Sequence, residues 1–511
     1  MGVPRRESIR RGWCAAVRQV AAVAALCLVA TPVASAQTMV PGVDSPPIPQ
    51  GPEAAGLPRF LGGAAAADPF FAPRTPQHPF MAPNGLSNIH VDAYQTDTNR
   101  FAGPLGRTAT HSAWFNRECA SITFDREGRL VTICVGLDDP VLALLQPNTL
   151  EPLAVFPLPP RMGGGGGNPF TDFSGGGYFY LDHRDRAIVP TTTRHIYVVG
   201  QTAGPAFELR RDYDLTGAVG PDDKVISALP DWRGRIWFAS TGGVVGWVER
   251  RSGEVHSRAL GEPIGNSFAV DERGAVYMVT DAALYRLRAG DGQVRTVWRR
   301  RYPNTGKVKP GQTQAGSGTT PTVMAGGRLV AITDNADPMH VLAYRRAPNP
   351  RARRLVCRER LFREGRSATD QSLIGAGRSI VAENNYGYTI AATQNGGTTS
   401  RGLQRVDVAP DLSGCDTVWR SRERAPSMVP KASLRAGIVY TYTKRRRADD
   451  QDAWYLTALD FDDGETLWRR LSGEGLGYNN NYAPITIAPT RRIYLGVLGG
   501  VTMFRPRVGD G

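Results

Sequence analysis

The sequence predicts an all-β protein built around a single β-propeller, and three observations support this prediction. From about residue 115 the chain consists of short runs in which apolar and polar residues alternate, which is typical of half-buried strands. Turn residues separate the runs, and the strand–turn–strand pattern recurs with a mean spacing of about 51 residues, close to the period of propeller blades. Each unit has room for two hairpins, which predicts a ring of four-stranded blades.

The recurring hairpin defines the individual units. The segments 120–133, 229–239, 268–279 and 485–495 share one template, in which a turn with Asp, Gly or Pro joins two apolar runs. This pattern predicts eight blades, with seven as the alternative because the unit near residue 177 is weakly patterned. The last unit has room for three strands only, so we expect an N-terminal strand, His90–Tyr94, to complete it and close the ring. The eight units begin near residues 119, 177, 224, 264, 316, 368, 428 and 478.

Two segments of different composition precede the propeller. Residues 1–36 combine five arginines, an apolar run and the small-residue site Ala34-Ser35-Ala36, which predicts a secretory signal peptide. Residues 37–87 are rich in Pro, Gly and Ala and predict a flexible arm or a surface strap, whose deletion should leave a folded protein. The propeller with its closing strand is assigned to residues 88–511. Without a transmembrane segment after the signal, we expect a secreted or periplasmic protein.

The charge balance bears on the partners. The chain has 61 Lys and Arg against 47 Asp and Glu, and removal of the signal, with its five arginines and one glutamate, lowers the net charge from +14 to +10. Arginine clusters at 299–301 and 351–354 could dock an acidic polysaccharide or the cell envelope. Nucleic acid is not expected as a partner of an exported chain, and a monomer is expected.

Four cysteines remain after the signal, and an even number in an exported chain predicts disulfides. A tight turn at 126–127 would place Cys119 opposite Cys134 in a hairpin, whereas a bulge at Gly128 would place them on opposite faces of the sheet. The disulfide between Cys119 and Cys134 is the favoured alternative. No cysteine or histidine spacing indicates zinc.

One strand and turn, Asp460-Phe-Asp-Asp-Gly-Glu-Thr-Leu-Trp468, resembles the repeat of quinoprotein dehydrogenase-like propellers. The resemblance extends over roughly 119–507 and implies a propeller fold. Members of that superfamily that bind pyrroloquinoline quinone (PQQ) commonly hold it against a vicinal disulfide, together with a calcium site. This chain has no two adjacent cysteines, so PQQ is not an expected cofactor, and a PQQ-dependent dehydrogenase is disfavoured.

Propeller geometry indicates where a ligand site would lie. Loops that lead into the innermost strand of each blade open on the same face as loops that join the second and third strands, so their polar side chains can converge around the central channel. The first group supplies the candidate ligand-binding residues Asn266, Thr319, Thr320, Asp370, Gln371, Asn480 and Asn481. From the second group come Asn384 and Asn385, and a set of oxygen donors that would suit calcium, namely Asp334, Asn335, Asp337 and Glu383. Such Asn and Asp side chains also serve simply to form turns.

No nucleophile elbow and no zinc-protease motif occurs in the sequence. We therefore predict an exported propeller that binds a small molecule, glycan, peptide or envelope component on its polar loop face. The alternative is a polysaccharide-active enzyme, a lyase or hydrolase with an acidic substrate. Its candidate catalytic residues are His340, Tyr386, Tyr482 and Lys431.

Overall fold

Short strands with alternating side chains build the structure, as the sequence pattern predicts. The protein is described by a computed structural model over residues 1–2, 56–136, 140–161, 171–172, 174–347 and 353–510. The predicted signal, 1–36, lies outside these residues except for Met1 and Gly2. The chain divides into two units, Met1–Gln37 and Thr38–Gly511, and the fold below is that of the second.

Three strands precede the first blade and belong to later blades. They are β1 (Phe60–Gly62), β2 (Thr98–Asn99) and β3 (Thr108–Trp114). Blade 1 then comprises β4 (Glu118–Phe124), β5 (Leu130–Val135), β6 (Val141–Leu145) and β7 (Pro152–Pro157). Blade 2 comprises β8 (Tyr180–Leu181), β9 (Ala187–Pro190), β10 (His195–Gln201) and β11 (Phe207–Asp214).

The middle of the chain forms three regular blades. Blade 3 comprises β12 (Val225–Pro230), β13 (Ile236–Ser240), β14 (Val244–Val248) and β15 (Val255–Ala259). Blade 4 comprises β16 (Ala269–Val270), β17 (Ala275–Val279), β18 (Ala283–Gly290) and β19 (Gln293–Arg301). Blade 5 comprises β20 (Thr322–Met324), β21 (Leu329–Thr333), β22 (His340–Arg345) and β23 (Leu355–Arg360).

The last three blades complete the ring. Blade 6 comprises β24 (Ile374–Ala376), β25 (Ser379–Glu383), β26 (Leu403–Val408) and β27 (Cys415–Ser421), with a 3-10 turn at Ala391–Thr393. Blade 7 comprises β28 (Lys431–Ser433), β29 (Ile438–Lys444), β30 (Ala453–Asp460) and β31 (Thr466–Glu474), followed by a 3-10 turn at Leu476–Tyr478. Blade 8 comprises β32 (Ile485–Ile487), β33 (Ile493–Val497), β34 (Gly500–Pro506) and the early strand β3.

The described residues thus form an eight-bladed β-propeller, which confirms the predicted fold and settles the blade number at eight. Apolar side chains between neighbouring blades form the core: Trp237, Trp247, Trp454 and Trp468 are among the largest buried side chains. The ring is closed by an N-terminal strand, but that strand is β3 and not His90–Tyr94. All seven residues of β3, from Thr108 to Trp114, pair antiparallel with β34.

A repeated turn fixes the first hairpin of several blades. In blades 1 to 3 an Asp carboxylate accepts hydrogen bonds from the backbone N–H four residues later and from the Arg side chain at that same position, as for Asp231 and Arg235. The equivalent pairs are Asp125 with Arg129 and Asp182 with Arg186. Because these aspartates are buried, each turn replaces lost solvation by charge-assisted hydrogen bonds.

The described part of the predicted arm, from residue 56, packs on the propeller. Strand β1 adds to the outer edge of blade 7 by pairing with β31, and the Phe70 ring stacks on Phe461 at 3.8 Å between centroids. Further along, Met81 and Leu86 are buried in the core between blades. These contacts argue against the expectation that deletion of 37–87 would leave a folded protein.

Residues 84–99, here called the channel plug, lie inside the ring. Backbone carbonyls of the plug accept hydrogen bonds from innermost strands around the ring, at 2.8–3.1 Å. The pairs run from Leu181 N to Ser87 O, Val270 N to Ala93 O, Val323 N to Tyr94 O, Gly375 N to Thr96 O, Ala432 N to Asp97 O and Leu434 N to Asn99 O. Asn84 Nδ2 reaches Phe124 O in blade 1, and Asn99 Nδ2 reaches Ile487 O in blade 8. The segment therefore occupies the channel and links blades on all sides of it.

Two disulfides occur in the described chain, and one of them was predicted. Cys119 and Cys134 are direct partners across β4 and β5, and their sulfurs are bonded. The hairpin combines both sequence alternatives: Gly128 has a positive φ in the turn, as the bulged alternative expects, and a register shift between Cys119 and Ser121 restores the pairing of the cysteines. The second disulfide, Cys357–Cys415, ties the outer strands of blades 5 and 6 together.

Helical structure is confined to short turns in the part of the chain that is described. No helix there has the length and apolar character needed to cross a membrane.

Candidate functional site

A cavity whose surface is mostly apolar, with several polar side chains in its lining, lies where the loops that lead into the innermost strands surround the channel. Its volume is about 80 Å³, and Ile89 and His90 of the channel plug contribute to its lining. The cavity therefore lies on the face that the sequence predicts for ligand binding. Its other polar and aromatic lining residues are Glu118, Ser121, Arg161, Asp172, Ser174, Tyr178, Asn266, Asp370, Gln371, Ser372, Asn481 and Tyr482.

Burial favours the protonated form of two lining carboxyl groups. Burial raises the pKa of Glu118 to about 8, against the opposing effects of its hydrogen bond with Asn481 and the charge of Arg161. Burial likewise raises the pKa of Asp370 to about 7, although the hydroxyl and backbone N–H of Thr313 donate to it at 2.7 and 3.0 Å. A protonated carboxyl both donates and accepts hydrogen bonds, so this part of the cavity suits an uncharged polar ligand.

The amide of Gln371 is the most exceptional group in the cavity. Among the residues that the structure describes, neither its Nε2 nor its Oε1 atom has a hydrogen-bond partner, and the buried Oε1 of Glu118 has none either. Buried polar atoms are nearly always paired, and leaving one unpaired costs about 1–3 kcal/mol. A ligand with hydroxyl groups could satisfy all three atoms.

The floor of the cavity contains a buried hydrogen-bond chain. Lys431 Nζ forms an ion pair with Asp97 and donates to Ile89 O at 2.6 Å. Asp97 Oδ2 lies 3.1 Å from His90 Nδ1. On the other side of the imidazole, His90 Nε2 lies 3.2 Å from Ser372 Oγ and 3.1 Å from Thr320 Oγ1. Burial lowers the pKa of His90, against the opposing effect of Asp97, so the imidazole is held neutral.

Of the predicted ligand-binding residues, Asn266, Asp370, Gln371 and Asn481 line the cavity. Asn266 Oδ1 accepts a hydrogen bond from the Tyr178 hydroxyl at 3.1 Å. Thr319 and Thr320 are fully buried behind the wall, where Thr320 contacts His90 and Thr319 Oγ1 lies 2.7 Å from Ser317 Oγ.

The other predicted amides lie outside the cavity lining and hold loop backbone. Asn384 Nδ2 donates to Arg366 O and Arg401 O, and Asn385 Nδ2 donates to Gly311 O at 2.7 Å. Asn480 Nδ2 donates to Ser427 O and Ala483 O. These three side chains therefore satisfy the backbone of irregular loops.

The predicted calcium donors are spread over separate interactions. Asp334 accepts from His340 Nδ1 at 2.9 Å, Asn335 Nδ2 donates to Lys307 O, and Asp337 accepts from Gly365 N. Glu383 is buried, and this burial raises its pKa well above the usual value. Among the residues that the structure describes, no group of three or more His, Cys, Asp or Glu side chains is placed to hold a metal ion.

The candidate catalytic residues are not assembled around one point. His340 pairs with Asp334 away from the cavity lining, and Tyr386 is also not part of that lining. Tyr482 lines the cavity, and its hydroxyl donates to Gly311 O at 3.2 Å. Lys431 is buried beneath the floor in its ion pair with Asp97.

Sequence reasoning missed the site residues that come from the channel plug and from strand starts. The sequence predicts His90 to begin a ring-closing strand, and nothing local indicates that the segment from His90 to Asp97 enters the channel instead. The loops that precede Glu118 and Ser372 carry no sequence motif that indicates a binding or catalytic site. Only the topology of the ring brings them together.

The raised pKa of Glu118 leads to a testable pH dependence. Because the folded state keeps this proton while the unfolded chain loses it near pH 4.5, stability should fall as the pH rises from about 4.5 to about 8. The loss amounts to several kcal/mol, since each unit of pKa shift corresponds to about 1.4 kcal/mol. Urea unfolding at a series of pH values should show a shallower decline for Glu118→Gln than for the wild type. Parallel curves for the two proteins would contradict the assignment.

Comparison with known proteins finds one relative and several solved structures of low sequence identity. No family model matches the chain. An uncharacterized protein of Archaeoglobus fulgidus is 27% identical over 360 residues, which cover 64% of this chain and 69% of that protein.

Three solved structures with low sequence identity are similar to the chain. A chain of a mitotic checkpoint complex has 10% identity and a TM-score of 0.39, over 63% of this chain and 87% of that one. A β-propeller domain of Myceliophteria thermophila has 11% identity and a TM-score of 0.40, over 66% and 98%. A streptogramin B lyase has 12% identity and a TM-score of 0.38, over 63% and 90%. The chain is a β-propeller protein that is similar to an uncharacterized archaeal protein.

Proposed function

We propose that this protein is an exported β-propeller that binds the terminal sugar of a glycan in the cavity at the mouth of its channel. The observation that supports this proposal most directly is the amide of Gln371, which has no hydrogen-bond partner among the described residues and lines the same cavity as the unpartnered Oε1 of Glu118. A sugar presents neighbouring hydroxyl groups that donate and accept at once, which is what an amide and a protonated carboxyl require.

The remaining lining is consistent with such a ligand. Tyr178 and Tyr482 add aromatic surface, and Asn266 and Asn481 add further amides. Aromatic rings with a few placed polar groups are the usual lining of small-ligand sites. The cavity volume of about 80 Å³ suits the end of a ligand whose remainder extends outward from the mouth. Export is supported by the two disulfides, because such bonds persist in oxidising compartments.

The test is calorimetric titration with neutral monosaccharides and short oligosaccharides, alongside a uronic acid. We expect binding of neutral sugars, and a roughly 10-fold or greater loss of affinity in Gln371→Ala, because two hydrogen-bonding atoms are removed. Gln95→Ala is the matched control, since Gln95 is also buried with an unpartnered Oε1 but does not line this cavity. Equal losses in the two variants, or binding of the uronic acid alone, would contradict the proposal.

A further inference from the structure

The hydrogen-bond chain in the cavity floor has the connectivity of a nucleophile, a base and an orienting carboxylate. Ser372 Oγ lies 3.2 Å from His90 Nε2, and Asp97 lies 3.1–3.2 Å from His90 Nδ1 through both carboxylate oxygens. This is the order of contacts in which serine is activated in unrelated hydrolase folds, where geometry rather than sequence position defines the arrangement. The sequence gives no sign of it, because His90 and Ser372 are 282 residues apart.

The two hydroxyl groups near His90 Nε2, those of Ser372 and Thr320, differ in whether a molecule in the cavity can reach them. Ser372 lines the cavity, whereas Thr320, the other hydroxyl near His90 Nε2, is fully buried and does not. Thr320 instead donates its backbone N–H to Ser372 Oγ at 3.2 Å. A molecule in the cavity can therefore reach only the serine of this pair.

The surroundings supply the two other requirements of such a site. Asp97 is fixed by Lys431 and by its own burial, so the carboxylate can hold the Nδ1–H tautomer and leave Nε2 free to accept a proton. Gln371, the residue before Ser372, has an unpartnered Nε2 donor in the same cavity, where it could stabilise negative charge on a substrate oxygen.

We propose that Ser372, His90 and Asp97 form an acyl-transfer site that hydrolyses small acyl esters, such as acetyl groups carried on sugar hydroxyls. The sugar part of this substrate class rests on the proposed glycan-binding function, whereas the nucleophile does not. A small acyl group is favoured because the cavity is only about 80 Å³ in volume.

The reaction proceeds in two balanced steps. Ser372 Oγ attacks the ester carbonyl carbon while its proton passes to His90 Nε2, and the bond to the sugar oxygen breaks as His90 returns that proton to the leaving hydroxyl. Water then attacks the acyl-serine, with His90 again taking and returning a proton, and the acid and free Ser372 are released. No redox partner or metal ion is required.

The first experiment needs no variant. The full mature chain is incubated with diisopropyl fluorophosphate, and the adduct is located by peptide mass spectrometry. We expect one phosphoryl adduct, on Ser372. No adduct under conditions that completely modify a known serine esterase, or an adduct on another residue only, would overturn the proposal.

Variants then test the roles of the neighbours. Ser372→Ala should abolish labelling and hydrolysis of 4-methylumbelliferyl acetate. Ser413→Ala should leave both unchanged, because Ser413 lies in an exposed turn outside the cavity lining and donates to Asp411 rather than to a histidine. His90→Gln should slow labelling at least 100-fold, provided that its circular dichroism spectrum remains native. Unchanged labelling in a folded His90→Gln protein would overturn the role of the base.

The failures of the two proposals can be distinguished. Gln371→Ala tests sugar binding by calorimetry, and labelling of Ser372 is measured independently of any sugar. Release of acetate from an acetylated monosaccharide is expected. If the aryl acetate is hydrolysed and the acetylated sugar is not, the nucleophile is supported and the sugar ester is overturned as the substrate.

Discussion

Replacement of Lys431 by methionine is expected to lower the free energy of unfolding by about 4 kcal/mol, because it removes one partner of a buried ion pair. The Lys431 side chain is 1% exposed, and that of Asp97 is fully buried. Without the Lys431 ammonium group, the Asp97 carboxylate would still contact His90 but would lose its cationic partner. An uncompensated buried charge is costly because water cannot reach it.

Chemical denaturation of the wild type and variants measures this effect. Lys444→Met is the matched control, since Lys444 also pairs with a carboxylate of blade 7, but its partner Asp452 is 14% exposed and can be solvated. We therefore expect a smaller loss there. The double variant Lys431→Met with Asp97→Asn should recover part of the loss, because the unpaired charge is removed as well. Equal losses for the two lysine variants, or no recovery in the double variant, would contradict this account.

Deletion of residues 37–87 is expected to destabilise the propeller by more than about 5 kcal/mol, or to prevent folding altogether. The deletion removes strand β1 from the edge of blade 7 and the Phe70 ring from its stack on Phe461. It also removes Met81 and Leu86, each at most 2% exposed, from the core between blades. Thermal unfolding followed by circular dichroism, together with gel filtration, measures the result.

Single substitutions show whether the buried residues of the arm, rather than its exposed residues, account for the stabilisation. Met81→Ala should cost about 2–5 kcal/mol, as is usual for a buried methionine, whereas Phe71→Ala should change stability by less than about 0.5 kcal/mol because Phe71 is 91% exposed. A truncated chain that melts at the wild-type temperature would show that the arm does not belong to the core.

The blades could be predicted because their hairpins are local. Each strand of the pair β4 and β5 lies next to its partner in sequence, so alternation and turn residues suffice to locate it. The register set by the turn does not by itself pair Cys119 with Cys134, because the register shifts between Cys119 and Ser121. Ring closure by β3 could not be read in this way. Its partner β34 lies almost 400 residues away, and Thr108–Trp114 carries no residue that indicates that partner.

The sequence predicts only those residues of the candidate site whose position follows from the propeller topology. Asp370, Gln371 and Asn481 line the cavity because loops that lead into innermost strands must surround the channel. Asn384 and Asn480 are of the same residue type in similar loops, yet their amides are used by nearby carbonyls. Residue type alone does not distinguish these two uses of asparagine.

The channel plug has a consequence for the order in which the molecule assembles. Asn99 contacts Ile487, 388 positions later, so the plug leaves the ribosome long before its last partner strand is made. Since β3 follows the plug directly and joins β34 to shut the ring, the blades have to gather around a segment that is already there. Such distant contacts slow folding, because a long stretch of chain must be ordered before they can form. The cavity lining includes Glu118 of blade 1 and Asn481 from the loop that leads into blade 8. The site is therefore completed only when the ring closes, and no shorter run of blades can carry it.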